Sequence, residues 1–138
     1  MRALVQRVSR AAVRVDGRLV SEIGPGLLVL LGVGPADDIK VADRLAVKVR
    51  ALRIFADDDG HMNEALGDRE VLCVSQFTLY GNTRRGNRPS FTAAARPEQA
   101  EPLYERFRAQ AGALGGVFGA DMTVELIGDG PVTLLLEI

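Results

Sequence analysis

Hydrophobic and polar positions alternate through the opening MRALVQRVSRAAVRV, where β-branched Val5, Val8, Val13 and Val15 sit among charged side chains. This period of two predicts a strand. Asp16-Gly17 follows as a hairpin turn, with RLVSEIG (18–24) as the return strand. GLLVLLGVG (26–34) is an unbroken apolar run between glycines, the pattern of a strand buried on both faces. The period then changes. Asp37 or Asp38 suits an N-cap, and behind them Ala42, Leu45, Ala46, Val49 and Leu52 predict a first helix over 39–52. RIFADDDGHMNEAL (53–66) holds a short strand and an acidic turn. REVLCVSQFTLYG (69–81) reads as the central strand, and NTRRGNRPSFTAAA (82–95) as a polar, basic loop.

Ala100, Leu103, Tyr104, Phe107, Ala111 and Leu114 form the stripe of a second helix, from about Pro97 to Leu114. Pro102 would kink it or delay its regular start, and Gly115 and Gly116 would stop it. Two strands, 121–127 and 132–138, close the chain around GDGPVT (128–133). That stretch has a hairpin turn's composition. Asp-Gly alone would serve a two-residue loop, however, and a proline removes a donor just where the second strand should begin pairing. Either the strand starts later or the Gly130-Pro131 backbone has a task of its own. The order of elements predicts a mixed α/β fold. Two helices cover one side of the sheet, and the other side is closed by folding over or by a second subunit.

A chain of 138 residues, 47% hydrophobic and 25% charged, fits one soluble domain over 1–138. No run approaches the ~20 apolar residues of a membrane span, and the charged N-terminus does not read as a signal peptide. The single cysteine, Cys73, excludes an internal disulfide and a cysteine metal site, and suits a reducing cytosol. A net charge of -1 and a pI near 5.8 disfavour general duplex binding by counterion release. They leave room for a local patch that grips one end of an RNA.

The candidate chemistry begins with an absence: His61 is the only histidine, so no Ser-His-Asp arrangement can be built. Asp57, Asp58 and Asp59 with His61 do not match an EF-hand, whose twelfth position here is Asp68 rather than glutamate. No metal or cofactor is expected. Cys73, between Leu72 and Val74, reads as a buried small side chain. SQFTL (75–79) places Ser75, Gln76 and Thr78 at the end of an apolar strand. By alternation Ser75, Phe77 and Leu79 would face one way and Gln76 and Thr78 the other. The stretch is an ordinary edge strand, or its free backbone N–H groups form an oxyanion hole. TRRGNRPSF (83–91) offers Arg84, Arg85 and Arg88 with Phe91. It is a solvated loop, or a set of phosphate forks beside a stacking ring.

SQFTL, TRRGNRPSF, FGADM (118–122) and GDGPVT occur in an order that, with ALVQRV and GLLVLLGV near the start, resembles the D-aminoacyl-tRNA deacylase family almost end to end. The resemblance implies a β/β/α-layered, dimeric cytoplasmic hydrolase. Its substrate would be the ester joining a D-amino acid, or glycine, to the 3′ end of tRNA. In the family the Gly-Pro pair is cis and enters the active site of the other subunit. There its carbonyls face the substrate's amino group and leave no room for an L side chain. Gly130 and Pro131 would then be the chiral filter, braced by Arg7. The amides near Phe77 and Thr78 would hold the oxyanion, Ser75 and Gln76 would shape the pocket, and Phe91 would lie near the terminal adenine. Arg84, Arg85 and Arg88 would contact the tRNA. The tRNA 2′-hydroxyl would assist, or activate water, in place of a triad.

One departure stands out. The family's Asn-x-Gly-Pro has Gly128 at its first position here, which keeps the conformation and loses a side-chain brace. The region 66–71 and the end of the second helix also look short beside the family. Rival readings are a non-catalytic module binding the tRNA 3′ end, a related deacylase with altered chiral selectivity, and a small esterase with Thr78 as nucleophile.

Overall fold

The computed structural model describes residues 1–138. Its strands are β1 (Arg2–Val15), β2 (Arg18–Ile23), β3 (Gly26–Gly32), β4 (Phe55–Ala56), β5 (Met62–Glu64), β6 (Glu70–Ser75), β7 (Leu114–Gly115) and β8 (Thr123–Glu137); its helices are α1 (Ile39–Ala51) and α2 (Pro97–Ala111). β1 is the spine. Its first half pairs with β3 and its second half with β2, both antiparallel, and β8 runs antiparallel along its other edge. β3 continues the sheet to β6 and then β7 in parallel. β4 and β5 make a separate small ribbon.

Alternation along β3 and β6 builds two cores. Leu27, Val29, Leu31, Val71 and Cys73 pack with Leu45, Val49, Tyr104 and Phe107 of the helices. The intervening Leu28, Leu72 and Val74 pack with Val8, Ala11 and Val13 of β1 and Ile23 of β2. The helices therefore occupy one side, and the chain's own first two strands fold over the other. This is why GLLVLLGVG carries no polar face.

Asp38, not Asp37, caps α1, its carboxylate accepting from the Val41 amide at 2.9 Å. Asp37 serves the N-terminus instead: it lies 2.6 Å from the Met1 ammonium and accepts from the Gly34 amide at 2.6 Å. α2 starts at Pro97, where a missing N–H costs nothing, and runs through Pro102 without interruption. It ends three residues before the expected Leu114, because Gly112 turns the chain left-handed at φ 63. Leu114 and Gly115, expected as the last helical residue and the stop, instead form β7 beside Leu72 and Cys73.

Tyr104 is buried, and its hydroxyl donates to the Cys73 carbonyl at 2.9 Å. Burial pushes the phenol up from 10.0 to about 12. Between those values the unfolded chain binds fewer protons than the folded one, so stability falls as pH rises from 10 through 12. Tyr104→Phe is expected to cost about 1 kcal/mol at neutral pH through the lost hydrogen bond and to flatten the alkaline decline. Urea midpoints at pH 8 and pH 11 check both, and an unchanged slope in the variant would assign the decline elsewhere.

The expected closing hairpin does not exist. β8 is one continuous strand whose two halves both pair with β1. Between the pairs Val8–Gly128 and Gln6–Thr133, the single residue Arg7 of β1 faces four of β8, Asp129 to Val132. GDGP is thus the crest of a wide bulge. The Gly130–Pro131 peptide is cis, and Gly130 has φ 125. The proline needs no partner because the ladder is already interrupted there.

Candidate active site

β6 lies between β3 and β7, and its ladder ends where the Gln76 amide donates to the Leu31 carbonyl at 2.8 Å. The strand expected to continue to Gly81 stops at Ser75, and Phe77–Tyr80 form a 3-10 turn. The turn is fastened by bonds from the Leu79 amide to Gln76 and from the Gly81 amide to Thr78, and by the Arg2 guanidinium on the Leu79 carbonyl at 2.8 Å. Arg2 also sits 4.5 Å from the centre of the Tyr80 ring. The Phe77 and Thr78 amides head the turn, and no turn, loop or cap carbonyl accepts from either. Unused donors are the ordinary condition of a helix start. Here they occur at the C-terminal end of parallel strands, where open α/β sheets commonly bind ligands.

Beside this turn lies a cavity of about 810 Å³. Ser75, Gln76, Phe77 and Phe91 line it, as do Phe118 to Met122 and the stretch from Ala94 to Pro97. Gln76 and Phe77 therefore reach the same cavity rather than opposite faces, since strand alternation ends at Ser75. The Phe77 and Phe91 rings meet edge to face with centroids 5.0 Å apart. Thr78 is not on the wall; its hydroxyl accepts from the Gln76 side-chain amide. FGADM, to which the sequence alone assigns no role, supplies one side of the cavity. Its fixed place among the motifs was the available signal. Arg96, also missed, carried none.

The arginine loop is closed at its base by paired backbone bonds between Asn82 and Ser90, at 2.8 and 2.9 Å. Arg84, Arg85 and Arg88 are exposed beyond that closure and off the cavity wall, whereas Phe91 and Thr92 just after it are on the wall. Arg7, Gly130 and Pro131 are likewise not part of the cavity within one chain. Arg7 spans the β8 bulge from beneath. Its Nε donates to the Asp129 carbonyl at 3.1 Å and lies 3.3 Å from the Asp129 carboxylate, while Nη1 donates to the Ile54 carbonyl at 2.5 Å.

Asp57, Asp59 and His61 place ligand atoms within 4.8 Å of one another. One Asp57 oxygen is already occupied by the backbone amides of Asp59 and His61, which organises the turn. Cys73 is fully buried, and burial pushes its thiol up, so it stays protonated.

The family model for D-Tyr-tRNA(Tyr) deacylase matches residues 4–137. A D-aminoacyl-tRNA deacylase of Deinococcus radiodurans is 56% identical over 145 residues, covering 100% of both chains.

The chain belongs to the D-Tyr-tRNA(Tyr) deacylase family.

A relative of the same name from Symbiobacterium thermophilum is also 56% identical, over 99% of this chain and 95% of its own length. A solved structure of a c-Myc DNA unwinding element binding protein superposes with a TM-score of 0.94 at 42% identity, covering 100% of this chain and 99% of that one. The structure of a probable eukaryotic D-amino acid tRNA deacylase matches at 0.85 and 17% identity, covering 99% and 98%, and shares the fold.

Gly128, where the resemblance expects asparagine, does not use the backbone freedom of glycine. Its φ is not left-handed, and an added Cβ would meet open space. Within one chain the position does not require glycine. Arg7 contacts the following residue, Asp129, through both its carbonyl and its carboxylate.

Proposed function

We propose that the chain is a single-domain D-aminoacyl-tRNA deacylase, spanning 1–138, that frees tRNA by hydrolysing the ester to its 3′ end. The observation that carries this reading is the pair of Phe77 and Thr78 amides at the head of a 3-10 turn beside a cavity of about 810 Å³, in a chain whose relatives bear that name over 95% or more of their length. The ester carbonyl oxygen lies toward the two amides, and Ser75, Gln76 and Phe91 shape the space for the amino acid and the terminal adenosine. Water, assisted by the ribose 2′-hydroxyl, adds to the carbonyl carbon. The oxyanion that forms is stabilised by preorganised donors. It collapses by breaking the bond to the ribose 3′-oxygen, which leaves with a proton. Arg84, Arg85 and Arg88 hold the tRNA beyond the cavity mouth.

Gly130 and Pro131 act in the cavity of a second copy, held out by Arg7. Their carbonyls accept from the substrate ammonium, and the main-chain wall rejects an L side chain whatever its identity. Glycine has no side chain to reject, so glycyl-tRNA is also a substrate. Exposed Leu126, Ile127, Leu134 and Leu135 of β8 supply apolar area for the homodimer this requires. The enzyme works in the cytoplasm and takes no metal.

Matched D- and L-tyrosyl-tRNA test the reading at low enzyme concentration. Rapid loss of the D-ester with the L-ester spared is expected. Loss of both removes the chiral filter, and loss of neither removes the enzyme. Thr78→Ala separates this mechanism from a threonine nucleophile. It should keep more than about a tenth of the rate, whereas deleting a nucleophile costs several orders of magnitude.

A further inference from the structure

Most arginines of this chain are committed. Arg2, Arg7, Arg10, Arg14, Arg69, Arg106 and Arg108 face carboxylates, and Arg50 and Arg53 donate to backbone carbonyls. Arg96 is not. It is exposed, gives no side-chain hydrogen bond to the helix it precedes, and takes part in no ion pair. It is also the one cation on the cavity wall, where the only other formal charge is Asp121. Along the chain it follows Phe91, and the uncommitted Arg84, Arg85 and Arg88 come just before.

The geometry points to Arg96 as the residue that holds the last phosphodiester of the RNA, the one joining the terminal adenosine to the preceding nucleotide. This rests on the proposed tRNA substrate. With the terminal nucleoside against the Phe77–Phe91 ring pair, its 5′ phosphate stands at the cavity mouth. A free guanidinium on that wall meets it with a fork of donors. The role differs from that of the loop arginines, which lie off the wall and face more distant phosphates. Arg96 is therefore a positioning residue. It fixes the depth at which the ester enters and leaves the chemistry to the amides.

The test is a double-mutant cycle read by fluorescence anisotropy. The probes are a 5′-labelled oligoribonucleotide ending in CCA and the same molecule with its last phosphodiester replaced by a neutral methylphosphonate. Wild type should bind the neutral probe roughly tenfold more weakly. R96Q should bind the natural probe roughly tenfold more weakly and lose nothing further on the neutral one. R96K should recover part of the loss on the natural probe only. The salt dependence of R96Q should be shallower by about 0.7 in log–log slope, one phosphate's share for a single strand. Losses that multiply, an R96Q indistinguishable from wild type, or a wild type that does not bind the CCA end each overturn the assignment. Hydrolysis of D-tyrosyl-tRNA by the same preparations keeps the two questions apart. Multiplying losses with hydrolysis intact reject Arg96 alone, while a closed cycle without hydrolysis rejects the enzyme and keeps the phosphate contact.

Discussion

Gly130→Ala is expected to lower kcat/KM for D-tyrosyl-tRNA by roughly a hundredfold, the scale of a misplacement near 1 Å in a catalytic site. At φ 125 the residue lies where an L side chain is strained, and its Cβ would stand 2.9 Å from Val132 Cγ2 and 3.0 Å from both the Val132 amide nitrogen and Arg7 Nη2. The valine and the guanidinium cannot both stay in place, so the crest must move. The displacement is confined by the flanking pairs Val8–Gly128 and Gln6–Thr133. Most of the effect should therefore fall on activity and selectivity, with little on the unfolding midpoint. Gly128→Ala is the control, since nothing lies within 4 Å of its added Cβ. Single-turnover hydrolysis of D- and L-esters by the two variants makes the comparison. A Gly130→Ala enzyme with wild-type rates and selectivity would show that the bulge does not serve the site.

Gly26→Ala should give the largest loss of stability, about 3 kcal/mol or more. Gly26 pairs with Glu70 at the start of the parallel β3–β6 ladder. An added Cβ would lie 1.9 Å from the Glu70 carbonyl oxygen and 2.8 Å from its carbon. Both are main-chain atoms with no rotamer to yield, so the strands must part. Leu27 and Val71, one step along, and Leu28 and Leu72, two steps along, belong to the two cores on either side. Opening the ladder therefore loosens both layers at once. Urea denaturation measures the cost, and a variant within about 1 kcal/mol of wild type would mean that the strands can slide apart cheaply.

Legibility in the sequence followed the range of the interaction. α1 ends within a residue of its expected limit because its stripe, cap and length are local properties. The doubly buried β3 is legible because a short apolar run bounded by glycines leaves no polar face for water. The stripe predicts α2 three residues too long, since Leu114 fits the helical spacing but is drawn into β7 by pairing with Leu72, a partner remote in sequence. SQFTL reads as strand for the same reason: apolar alternation continues through it, and only the end of the β3 partner at Gly32 removes the ladder that would keep it extended.

The sequence by itself determined that there are two helices and that strands precede, separate and follow them, that no histidine-based triad can form and, through four short motifs in series, the family. Those properties depend on local periodicity, on residue inventory, or on order along the chain. The tertiary structure alone decided that the last strand is one strand with a bulge and not a hairpin. Both halves of β8 find partners on the same β1, and a turn's composition does not reveal what its flanks will pair with. It also decided that FGADM and Arg96 share a cavity with Ser75 and Phe91. It set Arg7 beneath Asp129, 122 residues away along the chain. Long-range register is fixed by the summed burial of whole strands, and that sum can be evaluated only in the assembled fold.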